Sequence, residues 1–328
     1  MDAIMSGEAT PAQISAVLVA LRMKGETPHE LAGFAEGMRA HVRPVEATRA
    51  DLTDTAGTGG DGANTFNIST TAALVAAAAG AAIAKHGNRA VSSASGSADV
   101  LEALGFEVEL PAARVAESID KLGFGFMFAP LHHPAMKHAA AVRRELGIRT
   151  VFNLLGPLTN PAGAERQVIG VYAPELVPLM ASVLAELGVE RALVVHGAGA
   201  IDELTTLGPN RACLVEGSHA RGYDIDPSGL GFEPGDAAAL QGGSASENAN
   251  RTRAILAGEA GTAADTVVLN AAAALFVAGT VRTLGDGCLA ARSAILGGAA
   301  TARLEELIAF SNASDPMAET HDAGRGGV

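Results

Sequence analysis

With 328 residues, 48% of them hydrophobic and 18% charged, the chain can bury one large or two moderate cores and has an ordinary soluble, globular composition. Its 36 acidic residues against 23 basic ones leave a net charge of −13, a field that opposes non-specific binding to nucleic acid or an anionic membrane while leaving room for a local basic pocket. Two distant cysteines cannot build a disulfide framework, MDAIMSGEAT places no basic segment before an apolar one, and no apolar run reaches the ~20 residues of a bilayer span, so the expected location is the cytoplasm.

Two amphipathic helices come first. Thr10-Pro11-Ala12-Gln13 is a capping box with proline at the first helical position, followed by Ile14, Val17, Leu18 and Leu21 on one face and a stop at Gly25. Thr27-Pro28-His29-Glu30 repeats the device ahead of Leu31, Phe34, Ala35 and Met38. These helices form a small module expected to end near Arg49. From Asp51 the pattern alternates between strand and helix. It predicts a strand at 52–56, a buried Ala-rich helix at 69–80, a short strand at 82–84 and a helix at 97–104 stopped by Gly105. Phe106-Glu107-Val108-Glu109-Leu110 alternates with period 2 and reads as a strand; a helix at 111–122 and a strand at 124–128 follow. Helices are expected at 134–146 and 149–155, a strand at 166–172, a helix at 174–187 and a strand at 191–196. Two or three strands between 212 and 225 and helices at 246–257, 264–279 and 287–310 complete the order. Repeated βα units argue for an α/β sheet flanked by helices, and the polar, glycine-rich end from Ser314 reads as a disordered tail.

The chemistry concentrates in three places. Gly57-Thr58-Gly59-Gly60-Asp61-Gly62 stands between a strand and a helix and fits the letter of a dinucleotide fingerprint. That motif wants an acidic residue ~20 positions on, and none occurs between Gly62 and Asp99. Lys85-His86-Gly87-Asn88-Arg89 stands there instead, which suits phosphate. Asn67, Ser69 and Thr70 open the intervening helix, where free amides beside hydroxyls make an anion site and Ser69 can face a phosphate-bound Mg²⁺. Asn67 or Ser69 serving only as a helix cap is the plainer reading, and the two roles can coexist. Lys85, His86, Asn88, Arg89, Ser92, Ser93, Ser95 and Ser97 crowd one loop at the carboxyl end of a strand, which points to phosphate or pyrophosphate; His86 taken alone reads as a structural, hydrogen-bonded histidine. Asp202-Glu203, after a strand and Gly197-Ala198-Gly199, is a carboxylate pair without a basic neighbour and suits Mg²⁺ in the company of phosphate.

GTGGDGANTFNIST at 57–70, KHGNRAVSSASGSADVLEALG at 85–105, HPAMKHAAAVRRELGIRTVFNLLGPLTNPA at 133–162 and Asp202-Glu203 occur in that order. Together they resemble the anthranilate phosphoribosyltransferase family, over the chain from about Met1 to near Phe310. The resemblance implies a small all-helical domain, residues 1–49 completed by helices at about 133–156, and a larger α/β domain, 50–132 and 157–313, with a central mixed sheet flanked by helices; 314–328 is the tail. It implies transfer of the phosphoribosyl group of phosphoribosyl pyrophosphate (PRPP) to the anthranilate amine, in tryptophan biosynthesis, by a homodimer. PRPP contacts are implied at Gly57, Gly60, Asp61, Thr65, Asn67, Ile68, Ser69, Thr70, Lys85, His86, Gly87, Asn88, Arg89, Ala90, Val91, Ser92, Ser93 and Ser97. Anthranilate contacts are implied at Gly57, Asn88 and Arg143, and Mg²⁺, as two ions per site, at Ser69, Asp202 and Glu203. No residue is assigned as acid or base. Family members usually carry a further helix ahead of the segment matching Met1 to Gly7. Pyrimidine-nucleoside phosphorylases share the architecture but have no need of Asp202-Glu203 or of the VRREL and NLLGPLTNPA segments. Nucleic-acid-binding homologues that have lost the catalytic motifs would be basic, with damaged loops.

Overall fold

The computed structural model describes residues 1–90 and 94–313. Val91, Ser92 and Ser93 among the expected phosphate contacts, and the expected tail at 314–328, lie outside the described residues. A one-turn helix, α1 (Asp2–Met5), precedes α2 (Pro11–Lys24) and α3 (Pro28–Arg39). Both longer helices start on the capping boxes read from the sequence: Thr10 and Thr27 accept from the backbone N–H of Gln13 and Glu30, whose side chains reach back. Leu18, Leu31 and Ala35 are buried, whereas Val17, expected on the apolar face, is 43% exposed. The last helix of this opening ends at Arg39, and the chain then runs without regular structure to the first strand.

The first half of the sheet alternates β1 (Leu52–Gly57), α4 (Ile68–Ala78), β2 (Ala82–Gly87), α5 (Ser97–Leu104), α6 (Ala112–Leu122) and β3 (Phe124–Phe128). A helical stretch follows, with α7 (Ala129–His132), α8 (Lys137–Leu146) and α9 (Phe152–Leu155). The second half is β4 (Arg166–Gly170), α10 (Leu176–Glu186), β5 (Arg191–His196) and the hairpin β6 (Asn210–Glu216) to β7 (His219–Ile225). Four helices close the fold: α11 (Ala245–Leu256), α12 (Thr262–Val277), α13 (Leu284–Leu296) and α14 (Ala299–Asn312). The sheet has seven strands in the order β3-β2-β1-β4-β5-β6-β7; the first five are mutually parallel and the hairpin is antiparallel. It is the mixed, helix-flanked sheet that the sequence implies.

Each face of the sheet carries its own apolar core. On one side α4, α5, α6 and the four closing helices pack together; Ala-rich α4 is buried nearly all round against β1, β2 and α12. On the other side α10 joins the N-terminal helices, α8 and α9. Two expected elements differ. Residues 106–110 keep their alternating burial, but they form no ladder: Glu107 N donates to Ser311 Oγ at 3.0 Å and Glu109 N to Glu107 Oε1 at 2.8 Å. Period 2 reports two environments, not a partner strand. The helix expected over 287–310 is two helices, broken at Gly297-Gly298, where Gly298 takes φ +77°.

Candidate functional site

The order of the parallel strands reverses between β1 and β4, because β1 leads outward to β2 and β3 while β4 leads the other way to β5. Loops leaving the carboxyl ends of such strands diverge and open a crevice, which is where open α/β sheets bind ligands. Gly57 and Gly170 end the two strands side by side. A Cβ on Gly170 would stand 1.5 Å from the main-chain oxygen of Asp202, and one on Gly57 would stand 2.6 Å from Asp202 Oδ2. Glycine at both strand ends therefore admits the segment bearing Asp202-Glu203 into the crevice. The glycine turn closes around it: Gly59 N donates to Asp202 Oδ2 at 2.7 Å, and Asp202 N donates to Asp61 Oδ2 at 3.1 Å. Gly59 and Gly60 take φ +63° and +77°, which side chains other than glycine rarely adopt.

Beneath the turn, Lys85 of β2 is 2% exposed. Its Nζ donates to Thr55 O at 2.5 Å, Thr55 Oγ1 at 3.2 Å and Ser69 Oγ at 3.3 Å, which joins β1, β2 and the first turn of α4. Ser69 N donates to Glu203 Oε1 at 3.2 Å. Asn67 does not cap α4 with its side chain; it donates to Ser95 O at 3.1 Å and accepts from Asn248 Nδ2 at 3.0 Å. Asp61, Asp202 and Glu203 thus converge on one crevice, and among the described residues none has an ion-pair partner within 4.0 Å. Burial, then repulsion from Asp61, raises the Asp202 carboxyl to about 7; burial, then repulsion from Asp202, raises Glu203 to about 8 against the pull of Lys85. Burial also lowers Lys85 itself. Oxygen donors that resist ionisation without a counter-charge fit a hard divalent cation. Mg²⁺ commonly takes one or two carboxylates from a protein and keeps phosphate and water among its ligands; among the described residues no group of three His, Cys, Asp or Glu side chains could hold a metal ion unaided.

The second loop is held from below. Ala90 N and Gly96 N both donate to Asp99 Oδ2 at 2.8 Å, and Ser97 Oγ donates to Asn88 O at 3.3 Å. Arg89, an expected phosphate contact, is gripped by Glu102 through both terminal nitrogens, lies 3.5 Å from Asp99 and stacks over Phe128. Ile68 and Thr70 turn their side chains into the core, so only their backbone can face the crevice. Thr65 sits at the rim in a single bridge to Gln241. His86 and His133 face each other at 4.9 Å, and neither Nε2 has a partner among the described residues. Burial, then each other's or a neighbouring histidine's charge, lowers them to about 3 and about 4, so both are neutral imidazoles. Arg143 is half-buried over the ring of Phe152 at 5.1 Å, with no carboxylate within ion-pair distance among the described residues, and burial lowers its pKa.

Sequence reading missed Asp54, Asn160, His133 and Arg149. Buried Asp54 accepts from His86 N at 3.2 Å and from Asn160 Nδ2 at 2.7 Å, and burial raises its carboxyl. An aspartate in the middle of a strand core was the available signal.

The raised Glu203 carries a pH prediction. With a folded value of about 8 against an ordinary 4.5, it keeps its proton on folding where the unfolded chain has lost its own. Its contribution is fully present below the lower value and is lost progressively as pH rises through the upper one. Glu203→Gln mimics the protonated form. In metal-free buffer, thermal unfolding of the variant should match wild type near pH 4.5, then exceed it by a margin that grows up to about pH 8 and levels off above. A margin that does not change with pH would refute the assignment.

Residues 49–301 match the glycosyl transferase family, a/b domain, and residues 1–42 the glycosyl transferase family, helical bundle domain. An anthranilate phosphoribosyltransferase of Moorella thermoacetica is 53% identical over 310 residues, 94% of this chain and 91% of its own length. Another, from Thermomicrobium roseum, is 54% identical over 95% of this chain and 91% of its own. The crystal structure of anthranilate phosphoribosyltransferase from Thermus thermophilus superposes with a TM-score of 0.91 at 51% identity, covering 95% of this chain and 93% of that one. The Saccharomyces cerevisiae enzyme in complex with PRPP and Mg superposes with a TM-score of 0.84 at 29% identity, covering 92% and 85%.

Proposed function

The chain belongs to the glycosyl transferase family and, within it, to the anthranilate phosphoribosyltransferases, and from that premise we infer that it joins the anthranilate amine to C1 of the ribose of PRPP with loss of pyrophosphate, a step of tryptophan biosynthesis. The observation that carries the reading of the site is the convergence of the glycine turn, Lys85, the first turn of α4 and Asp202-Glu203 on one crevice. We assign PRPP to the turn and to the loop after β2, with Gly57, Asn88 and Arg143 on the anthranilate side.

Displacing pyrophosphate builds positive charge on the sugar and negative charge on the leaving group. The Lys85 ammonium, held beside Ser69, and the amides of the glycine turn would offset that negative charge from positions the fold has already fixed. Mg²⁺, bound between Asp202, Glu203 and the Ser69 hydroxyl, would supply charge neutralisation of the pyrophosphate, with two ions per site as the finer proposal. Anthranilate is a weak amine nucleophile, and positioning it matters more than deprotonating it. Arg143 suits the carboxylate because a planar guanidinium can bind it through two parallel hydrogen bonds and this one, over the Phe152 ring, is in no ion pair among the described residues. The reaction is therefore read as a dissociative displacement without a strong general base.

We further propose the division into a helical domain, 1–49 with about 133–156, and an α/β domain over 50–132 and 157–313; α1, α2, α3, α8 and α9 pack together, against α10 and one face of the sheet in the larger part. A cytoplasmic homodimer completes the reading. No described helix is long and apolar enough to cross a membrane, and Val17 and Met23 of α2 leave apolar surface for a second copy.

Mixing the protein with anthranilate, PRPP and MgCl₂ should extinguish anthranilate fluorescence, with no loss in EDTA or without PRPP. No turnover by folded protein would overturn the assignment. Arg143→Ala should raise KM for anthranilate by about tenfold or more and leave KM for PRPP within about twofold, the loss of a charge-assisted carboxylate contact. An unchanged KM for anthranilate would remove Arg143 from that role.

A further inference from the structure

Arg149 lies between α8 and α9, within the 133–162 segment but with no role assigned to it above, and three observations tie it to the glycine turn. Its Nη2 donates to the carbonyl oxygen of Gly60. Its guanidinium stacks on the ring of Tyr172 at 4.3 Å, and the Tyr172 N–H donates to Thr58 Oγ1 at 3.2 Å, so the platform is pinned to the same turn. Its own carbonyl accepts from Arg22 Nη1 of α2 at 2.8 Å. A cavity of about 290 Å³, lined by Arg22, Glu26, Arg149, Thr150, Leu154 and Tyr172, lies alongside, so this guanidinium spans open space that packing does not fill.

The turn needs such a brace. Thr58 is fixed to the sheet by its N–H on Gly170 O at 2.9 Å, and Gly59 by its N–H on Asp202. Gly60 is the next peptide, in a run of positive-φ glycines with wide backbone freedom. Its carbonyl takes a hydrogen bond from Arg149. Setting that carbonyl sets the peptide plane, and with it the direction of the Asp61 N–H.

We propose that Arg149 is a positioning residue for PRPP: reaching from the helical side, it fixes the Gly60 peptide so that the amides of the turn are aligned before the pyrophosphate arrives. The inference rests on the assignment of PRPP to this turn. Arg149 touches no reacting atom; it acts through the turn. A bound anion gains from donors already in place, so loosening the brace should weaken PRPP and spare anthranilate.

The test compares full-length wild type with Arg149→Met, Arg149→Lys and Tyr172→Leu, by steady-state kinetics and by calorimetric titration with PRPP in MgCl₂. Arg149→Met should raise both KM and Kd for PRPP by about tenfold, the scale of one hydrogen bond from a charged donor. KM for anthranilate should stay within about twofold and the unfolding temperature within a few degrees. Arg149→Lys, which can still donate to Gly60, should recover most of the loss, and Tyr172→Leu should move PRPP affinity the same way by less. Unchanged PRPP affinity in Arg149→Met overturns the inference. So does a loss shared equally by both substrates, or one that lysine does not rescue. If the methionine protein does not fold, the other two variants decide the matter by the same readings. The titration separates two failures: wild type that binds PRPP without turnover sinks the reaction, and equal Kd values sink Arg149.

Discussion

The Lys85→Met protein is expected to fold and to lose about two to three orders of magnitude in kcat/KM, the scale seen when one preorganised electrostatic donor is removed from an active site. Lys85 is 2% exposed and enclosed by Thr55, Ser69 and the acids of the crevice. Methionine fills much the same volume without a donor, which separates loss of charge from creation of a cavity. The change removes a buried ammonium that burial disfavours and takes from buried Asp54 its nearby cation, so stability has to be measured alongside activity. Circular dichroism would establish that the variant is folded, and the anthranilate fluorescence assay would measure its rate. Activity within about tenfold of wild type would remove Lys85 from the electrostatic role.

Gly170→Ala is expected to be the more damaging of the single-methyl changes near the site. The added Cβ would lie 1.5 Å from the main-chain oxygen of Asp202, and a backbone atom cannot swing aside as a side chain can. Either β4 shifts in the sheet or the Asp202-Glu203 segment leaves the crevice. The expected result is a loss of about 2–4 kcal/mol in stability, together with activity down by at least about a hundredfold. Gly57→Ala meets the carboxylate tip of the same residue at 2.6 Å and should be milder, because Asp202 can rotate. Gly33→Ala, inside α3 with nothing within 4 Å of its new Cβ, is the control and should be neutral or slightly stabilising. Normal stability in Gly170→Ala would mean that the close approach of the two segments is not required.

Much of the site was legible because its chemistry sits in contiguous runs. The glycine turn, the basic loop after β2 and the Asp202-Glu203 pair each announce themselves within a few residues, and the strand-helix alternation places each at a strand end. What escaped depends on distance along the chain. Asn160 finds Asp54 across 106 positions, and Arg149 finds Gly60 across 89. Asn67 shows the same limit. Its place before α4 suggests a side-chain cap, yet Asn248, 181 positions away, takes its side-chain oxygen instead. Residues 106–110 show it for secondary structure, since alternation predicts burial correctly and cannot supply a partner.

The sheet order has a consequence for synthesis. As the chain leaves the ribosome, β1, β2 and β3 can pair in sequence, but the other edge of β1 is reserved for β4, which arrives only after α8 and α9 have been made. Until then the nascent protein carries an open strand edge of the kind that invites pairing with another chain. Translation speed over residues 58–165 and chaperone occupancy there should therefore govern yield more strongly than the stability of the finished fold does.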